Sequence, residues 1–285
     1  MVKKIFLFSS QLAAFIGRNP HTNASKIFNQ LYERYFREIA GMEIMARNVG
    51  DGDKLRKIGE KIGDKNLLKK VGDICNRNLS TMNLQKERME LITKLEKDGR
   101  LDEDDKKDIK KTLEGYTNKR FGTIREGDAV EIYKEKFECD VITKINGREK
   151  KILKLGNTEL WLKSRLDGMR MDGTVVEIKN RIYKIFEEVK EYEWIQVQAY
   201  LRVYGLKEAH LVEYLKNGTG EMKVNHIERD DRYWEEVMEG EMRDYLGVFL
   251  RIIRNEKRFA KYKTLSENEQ NEYIKKMLRK KIIVK

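Results

Sequence analysis

The chain has 285 residues, 40% of them hydrophobic and 9% aromatic, which is enough to bury a sizeable core in one large domain. Lys and Arg number 60 against 48 for Asp and Glu, a net charge of +12, so a polyanionic partner is favoured, nucleic acid ahead of an anionic membrane. Two cysteines exclude a disulfide framework, a four-thiolate zinc site and an iron–sulfur cluster. Three histidines without ligand spacing argue against a histidine-built zinc site.

The first 17 residues carry lysines and then an apolar run, as a short signal peptide does. Ser9-Ser10-Gln11 interrupts that run, no clean small-x-small cleavage site follows, and no stretch reaches a membrane span. A soluble, intracellular protein is therefore expected. Residues 9–17 and 22–40 read as helices around the turn Gly17-Arg-Asn-Pro-His21, with Ser9 or Ser10 as a cap. Ser10 and Arg18, with Lys3 or Lys4, form a candidate anion pocket there; the alternative is an ordinary helix–turn–helix. Residues 43–118 are charge-dense with apolar residues at helical intervals, as in a helical insertion, and a helix start falls at Asp102-Glu-Asp-Asp105.

A further helix is expected over 121–136, carrying Glu126. From about 138 to 181 the period changes to two, as in strands. The segment Ser164-Arg-Leu-Asp-Gly-Met-Arg-Met-Asp-Gly-Thr-Val-Val-Glu-Ile-Lys179 reads as two strands joined by a turn. Glu177 and Lys179 share one face of the second strand, and Val176 and Ile178 the other. A helix over 186–204 ends near Gly205, and strands follow at 209–214 and 221–227. A long helix runs from about Asp231 to Arg254, and the tail 265–285 is basic. Helices, a sheet, a helix, strands and a helix make an α/β chain in one domain.

Asp167 and Glu177 supply two carboxylates and the Ile178 carbonyl a third oxygen, enough for Mg²⁺, which retains waters. Lys179 sits where it can orient an attacking water. A surface hairpin with a salt bridge is the competing reading of this spacing, although Val175, Val176 and Ile178 favour a buried strand. Glu126 can complete the site from a helix, or be an exposed glutamate. Gln196 and Tyr200, four apart on one helical face, can reach a phosphate or a water, or be a surface glutamine and a core tyrosine.

Taken in order, Ser10-x₆-Gly17-Arg-Asn-Pro20, Gly122-x₃-Glu126-x₂-Ala129, Leu166-Asp-Gly168, Glu177-Ile-Lys179 and Gln196-Val-Gln198 resemble the lambda-exonuclease/YqaJ-type viral recombinase family of the PD-(D/E)xK nuclease superfamily. The segment from His226 to Trp234 resembles that family's strand-to-helix junction. The likeness covers about 1–40 and 120–255. It implies a restriction-endonuclease-like core, a mixed central sheet flanked by helices with an N-terminal helical region. It implies a Mg²⁺-dependent exonuclease, with Mn²⁺ as an alternative ion, that digests duplex DNA from 5′ ends in viral or phage recombination or in repair. Asp167 and Glu177 then become metal ligands, Lys179 the catalytic lysine, Glu126 and Gln196 helical members of the site, and Ser10 a contact to the 5′-phosphate. Arg18 and Lys3 are its candidate basic partners, although the N-terminal spacing departs from the phage pattern. A single-strand annealing protein, a trimeric assembly, and a host cytoplasm or nucleus are family associations. A structure- or site-specific endonuclease on the same core and a nucleic-acid-binding protein without catalysis are the alternatives.

Overall fold

The computed structural model describes residues 3–36, 51–77, 79–216 and 220–282, with side chains through 279. The expected helical residues 37–40, the start of the 43–118 segment, most of the turn at 217–220 and the last three residues of the tail lie outside them.

The described chain opens on a strand, β1 (Lys3–Phe8), ahead of the first expected helix. Its Ile5 and Leu7 are wholly buried, so the apolar run that resembles a leader forms an edge strand with one face in the core. A 3₁₀ turn (Ser9–Gln11), α1 (Leu12–Phe15) and α2 (Ala24–Tyr35) follow. Next come α3 (Asp51–Lys61), α4 (Leu67–Asn76) and α5 (Thr81–Glu96). Helix α6 (Glu103–Phe137) is a single 35-residue helix where two were expected. Asp102 caps it, accepting from the Asp105 N–H at 2.8 Å, and Glu103 and Asp104 add negative charge at the positive end of its dipole. Gly115, Gly122 and Gly127 weaken helix propensity but do not break it, because packing along the whole length outweighs about 1 kcal/mol per glycine.

The strands β2 (Val141–Ile142), β3 (Arg148–Leu155), β4 (Thr158–Ser164), β5 (Gly168–Arg170) and β6 (Val175–Arg181) follow. Helix α7 (Glu191–Tyr204) starts later than the sequence suggests and ends on Gly205 at φ +72°, the left-handed cap that glycine adopts without strain. Then come β7 (Glu208–Leu215), β8 (Glu221–Glu228), α8 (Asp231–Tyr233), a π turn (Trp234–Met238), α9 (Glu239–Ile253), α10 (Glu256–Lys263) and α11 (Glu267–Ile282).

Two sheets form. One has the order β1-β4-β3, with β1 parallel to β4; the other has the order β2-β5-β6-β7-β8, with β6 parallel to β7. The fold is thus mixed α/β, with mixed sheets flanked by helices. Helix α7 makes the crossover between β6 and β7 and joins β1, β4 and α9 in the main core through Ile195, Val197, Ala199 and Leu201. The second half of α6 covers the opposite face of the larger sheet, where Ala129, Val130 and Tyr133 pack on Val176, Ile178, Val212 and Tyr214. Because each face has its own helix, β7 is buried at every position but its first. Helices α3, α4, α5 and the first half of α6 hold a separate apolar cluster around Leu55, Leu67, Ile92, Ile109 and Leu113. Helix α6 joins that layer to the five-stranded sheet as one continuous element.

Candidate active site

The pleat of β6 turns Glu177, Lys179 and Arg181 toward α7 while Val176 and Ile178 face α6. Helix α7 presents residues three and four apart to that row: Glu193, Gln196 and Tyr200. The two elements are therefore in register, and Glu177, Lys179 and Arg181 each meet a polar residue of α7.

Lys179 Nζ donates to Glu177 Oε1 at 2.8 Å and to Gln196 Oε1 at 3.1 Å. Gln196 Nε2 donates to Glu177 Oε1 at 2.8 Å and to the Tyr200 hydroxyl at 2.6 Å. The amide of Gln196 is thereby fully used, and Lys179 keeps one N–H for a water or a phosphate oxygen. Glu177 is 2% exposed and its Oε2 is buried without a hydrogen-bond partner. A buried carboxylate oxygen left unpaired is costly unless something positive completes it.

Strand β5 pairs with β6 only at Val175 and Val176, so the edge of β6 is open beyond that point. Asp167 fills the opening: its Oδ2 accepts from the Ile178 N–H at 2.9 Å. In an extended strand the N–H and C=O of one residue point to the same side, so the Ile178 carbonyl also faces this opening. Gly168 is required here, because a Cβ would lie 2.6 Å from Val141 Cγ1 and force β2 away. Glu126 comes from α6, one turn before buried Ala129, on the stripe whose Gly122 carbonyl accepts from Asn180 Nδ2 at 2.8 Å. Its charge is felt by Asp167 and Lys179.

Electrostatics tie these residues together. Burial pushes the Glu177 carboxyl up to about 8, with the Lys179 ammonium opposing and the Asp167 charge adding to the rise. Burial also pushes Glu126 up to about 7, again with Asp167 adding and with Lys179 and Arg165 opposing. Lys179 is held above its ordinary value: burial alone would lower it, but Glu177 outweighs that. Tyr200 is raised well above its usual range by burial and by Glu177, so it stays a neutral hydroxyl. Three carboxyl groups face the Lys179 ammonium and, at Glu126, the Arg165 charge, so the set still lacks positive charge when all are ionised.

Among the described residues no three His, Cys, Asp or Glu side chains gather as a closed metal site. Glu177 and Asp167, with the Ile178 carbonyl, instead offer two or three oxygens. The orphaned Glu177 Oε2 and the all-oxygen donor set fit a hard divalent ion that keeps its own waters, as Mg²⁺ does.

The residues proposed for a phosphate pocket are not brought together. Ser10 is exposed in the 3₁₀ turn after β1. That end of β1 adjoins Ser164 and the segment leading to Asp167, since Phe8 pairs with Lys163. Ser9, not Ser10, is engaged: its hydroxyl bonds the Ser164 hydroxyl and the Lys163 carbonyl, and neither serine caps the helix. Lys3 lies at the other end of β1, roughly 16 Å along the strand, bonded to the Tyr35 carbonyl and 3.8 Å from the Phe36 ring centroid. Arg18 is committed to carboxylates: it donates to Glu241 through Nε at 2.7 Å and through Nη2, and to Glu191 through Nη1. Those bonds hold it above the ordinary arginine value.

A neighbouring network escaped the sequence reading. Arg181 donates to both oxygens of Glu193 at 2.8 Å and to Glu213 Oε2 at 2.7 Å, and both acids are buried. Glu213 also accepts from the Phe186 N–H and from Asn225. The signal was Arg181 two positions after Lys179 and Glu193 three before Gln196, the same strand and helix spacings that mark the site. Gln198, on the opposite face of α7, binds backbone of the β8–α8 junction: it donates to the Glu228 carbonyl and accepts from the Asp230 N–H, both at 2.8 Å.

No protein-family model and no curated protein matches the sequence. Among solved structures the chain is similar to SSO0001, at 16% identity and a TM-score of 0.38, over 50% of this chain and 65% of that one. It is also similar to the alkaline exonuclease LHK-Exo from Laribacter hongkongensis, at 19% identity and a TM-score of 0.41, over 67% of this chain and 91% of that one. The complex of LHK-Exo with dAMP gives 19% identity and a TM-score of 0.39, over 67% and 90%. The chain spans 65% of the length of SSO0001. Likeness this low leaves function to be read from the side chains. Among the described residues no helix is long and apolar enough to cross a membrane.

Proposed function

We propose that this chain is a Mg²⁺-dependent deoxyribonuclease that digests duplex DNA from an end, with 5′-to-3′ polarity. One observation carries the reading: the buried Glu177, with Oε2 unpaired, lies against Asp167 and shares its other oxygen with Lys179 and Gln196. Glu177, Asp167 and the Ile178 carbonyl would hold Mg²⁺, or Mn²⁺ in its stead. The ion, when bound, supplies Lewis-acid polarisation of the phosphate and acidifies water.

The chain's own residues do the rest. Lys179, fixed by two acceptors, directs its remaining N–H at the attacking water or at a non-bridging phosphate oxygen, where negative charge develops. Gln196 holds Glu177 and Lys179 in one arrangement, and the neutral Tyr200 hydroxyl holds Gln196. Glu126, whose carboxyl titrates near 7, is poised to take a proton from water or to give one to the leaving oxygen at neutral pH. A net charge of +12 favours a DNA substrate. The 5′ polarity, action in viral or phage recombination inside a host cell, an annealing-protein partner and a trimeric ring are carried over from the family that the motifs from Ser10 to Gln198 resemble, and from nothing else. Of the three residues expected at a 5′-phosphate, Ser10 alone is exposed and near the Asp167 segment, so it is the one we assign to that contact.

The test compares linear duplex, labelled at either end, with covalently closed circular duplex, in Mg²⁺ and in EDTA. Mg²⁺-dependent release from the 5′ label with the circle intact is expected. Cutting of the circle replaces the exonuclease with an endonuclease. Equal behaviour of wild type and Lys179→Ala removes catalysis altogether.

A further inference from the structure

A second surface of the chain is built for anions. Helix α9 carries Arg243 and Arg251, Arg254 caps its C-terminus, and Arg258 follows on α10. With Leu155 and Gly156 at the β3–β4 turn they line a cavity of about 570 Å³ that has no acidic residue among its described lining. Arg251 and Arg258 continue into an adjoining cavity of about 770 Å³ between α10 and α11, where Lys261 and Arg279 join them. The two acids of that half are already engaged: Glu269 accepts from Ser266 N and Oγ, and Glu272 pairs with Lys275.

All four arginines are exposed, and among the described residues none has a carboxylate partner. Arg243 and Arg251 donate to backbone carbonyls at 3.3 Å, and Arg254 to the Thr158 hydroxyl at 2.8 Å. Four guanidiniums repelling one another in one groove cost stability, and an anion would relieve that cost. Their forked donors match phosphate oxygens. Arg243 to Arg251 spans roughly 12 Å and Arg251 to Arg254 roughly 4.5 Å along the helix, so three guanidiniums can reach more than one phosphate. The groove starts at the beginning of β4, whose end leads to Asp167, a separation of roughly 20 Å or about six base pairs of B-DNA.

We propose that this groove binds the sugar-phosphate backbone of duplex DNA at a distance from the hydrolysed end. The inference rests on reading the protein as one that acts on DNA, but its readout is binding, not hydrolysis. The experiment is fluorescence anisotropy of a labelled DNA duplex with the full chain in EDTA, across a salt series. In Arg251→Gln/Arg258→Gln the slope of log Kd against log salt is expected to flatten by about 1.8, and in Arg243→Gln by about 0.9. A control, Lys65→Gln/Lys69→Gln, makes the same charge change on exposed lysines of the helical layer and is expected to leave most of the slope. An unchanged slope in the arginine variants overturns the inference, as does equal flattening in the control. Weakened binding of polyglutamate with DNA binding intact also overturns it, in favour of an acidic polypeptide. Hydrolysis by the arginine variants and by Lys179→Ala is measured separately in Mg²⁺, so that failure here and failure of the catalytic reading are read in different assays.

Discussion

Titrating Mg²⁺ into the metal-free protein at about pH 6 and again at about pH 8.5 examines the site at its most specific point. The Glu177 carboxyl, pushed up to about 8 by burial, holds a proton at pH 6 that a cation has to displace. Competition weakens binding by a factor of roughly 1 + 10^(pKa − pH), about a hundred at pH 6 and close to one at pH 8.5. Affinity should therefore rise nearly a hundredfold across this range, on the order of 2.7 kcal/mol. Glu126, at about 7, adds about another tenfold if its carboxylate also faces the ion. Calorimetry in two buffers of different ionisation enthalpy counts the protons released: about one at pH 6 for Glu177 alone, nearly two with Glu126. Affinity that is flat with pH and releases no proton refutes the assignment. So does a Glu177→Gln variant that keeps the wild-type dependence.

Further outcomes follow from the same geometry. Metal-free stability should fall as pH rises from about 4.5 to about 8, because folded Glu177 holds a proton that the unfolded chain has lost; thermal melts against Glu177→Gln should differ in slope by one proton. Lys179→Ala should lower the hydrolysis rate by about 10²–10⁴-fold with the circular dichroism spectrum unchanged. Arg181→Ala strands Glu193 and Glu213 as buried unpaired acids and should cost about 3–5 kcal/mol in denaturant titrations. Gly168→Ala pushes Val141 and β2 aside and should cost about 1–3 kcal/mol while displacing Asp167, so activity should fall further than stability accounts for.

Much of the site was legible because strand and helix periods are local. The two-residue step of Glu177 and Lys179 and the four-residue step of Gln196 and Tyr200 fix which side chains share a face, and the structure joins those two faces directly. Spacing within α6 left Glu126 open between an exposed glutamate and a member of the site; its burial comes from the elements packed around it. Local rules failed where a partner distant in sequence decided the outcome. Lys3–Phe8 became a strand because β4, some 150 residues away, accepts it in parallel. Arg18 fell to Glu191 and Glu241, which no spacing near the N-terminus reveals. Helix α6 runs unbroken because packing at both ends overrides its glycines.

The sequence by itself determined the kind of chemistry on offer: acids and a lysine on a buried strand, an amide and a phenol on a helix, and a surplus of positive charge. Only the tertiary structure decided which of them meet. It set β5 short, so that Asp167 could cap the open edge of β6, and it left Glu177 Oε2 buried without a partner. It also gathered four arginines beside a β-turn far along the chain. Side-chain direction within one element follows from backbone geometry, whereas the desolvation and charge that tune a site come from every element packed around it.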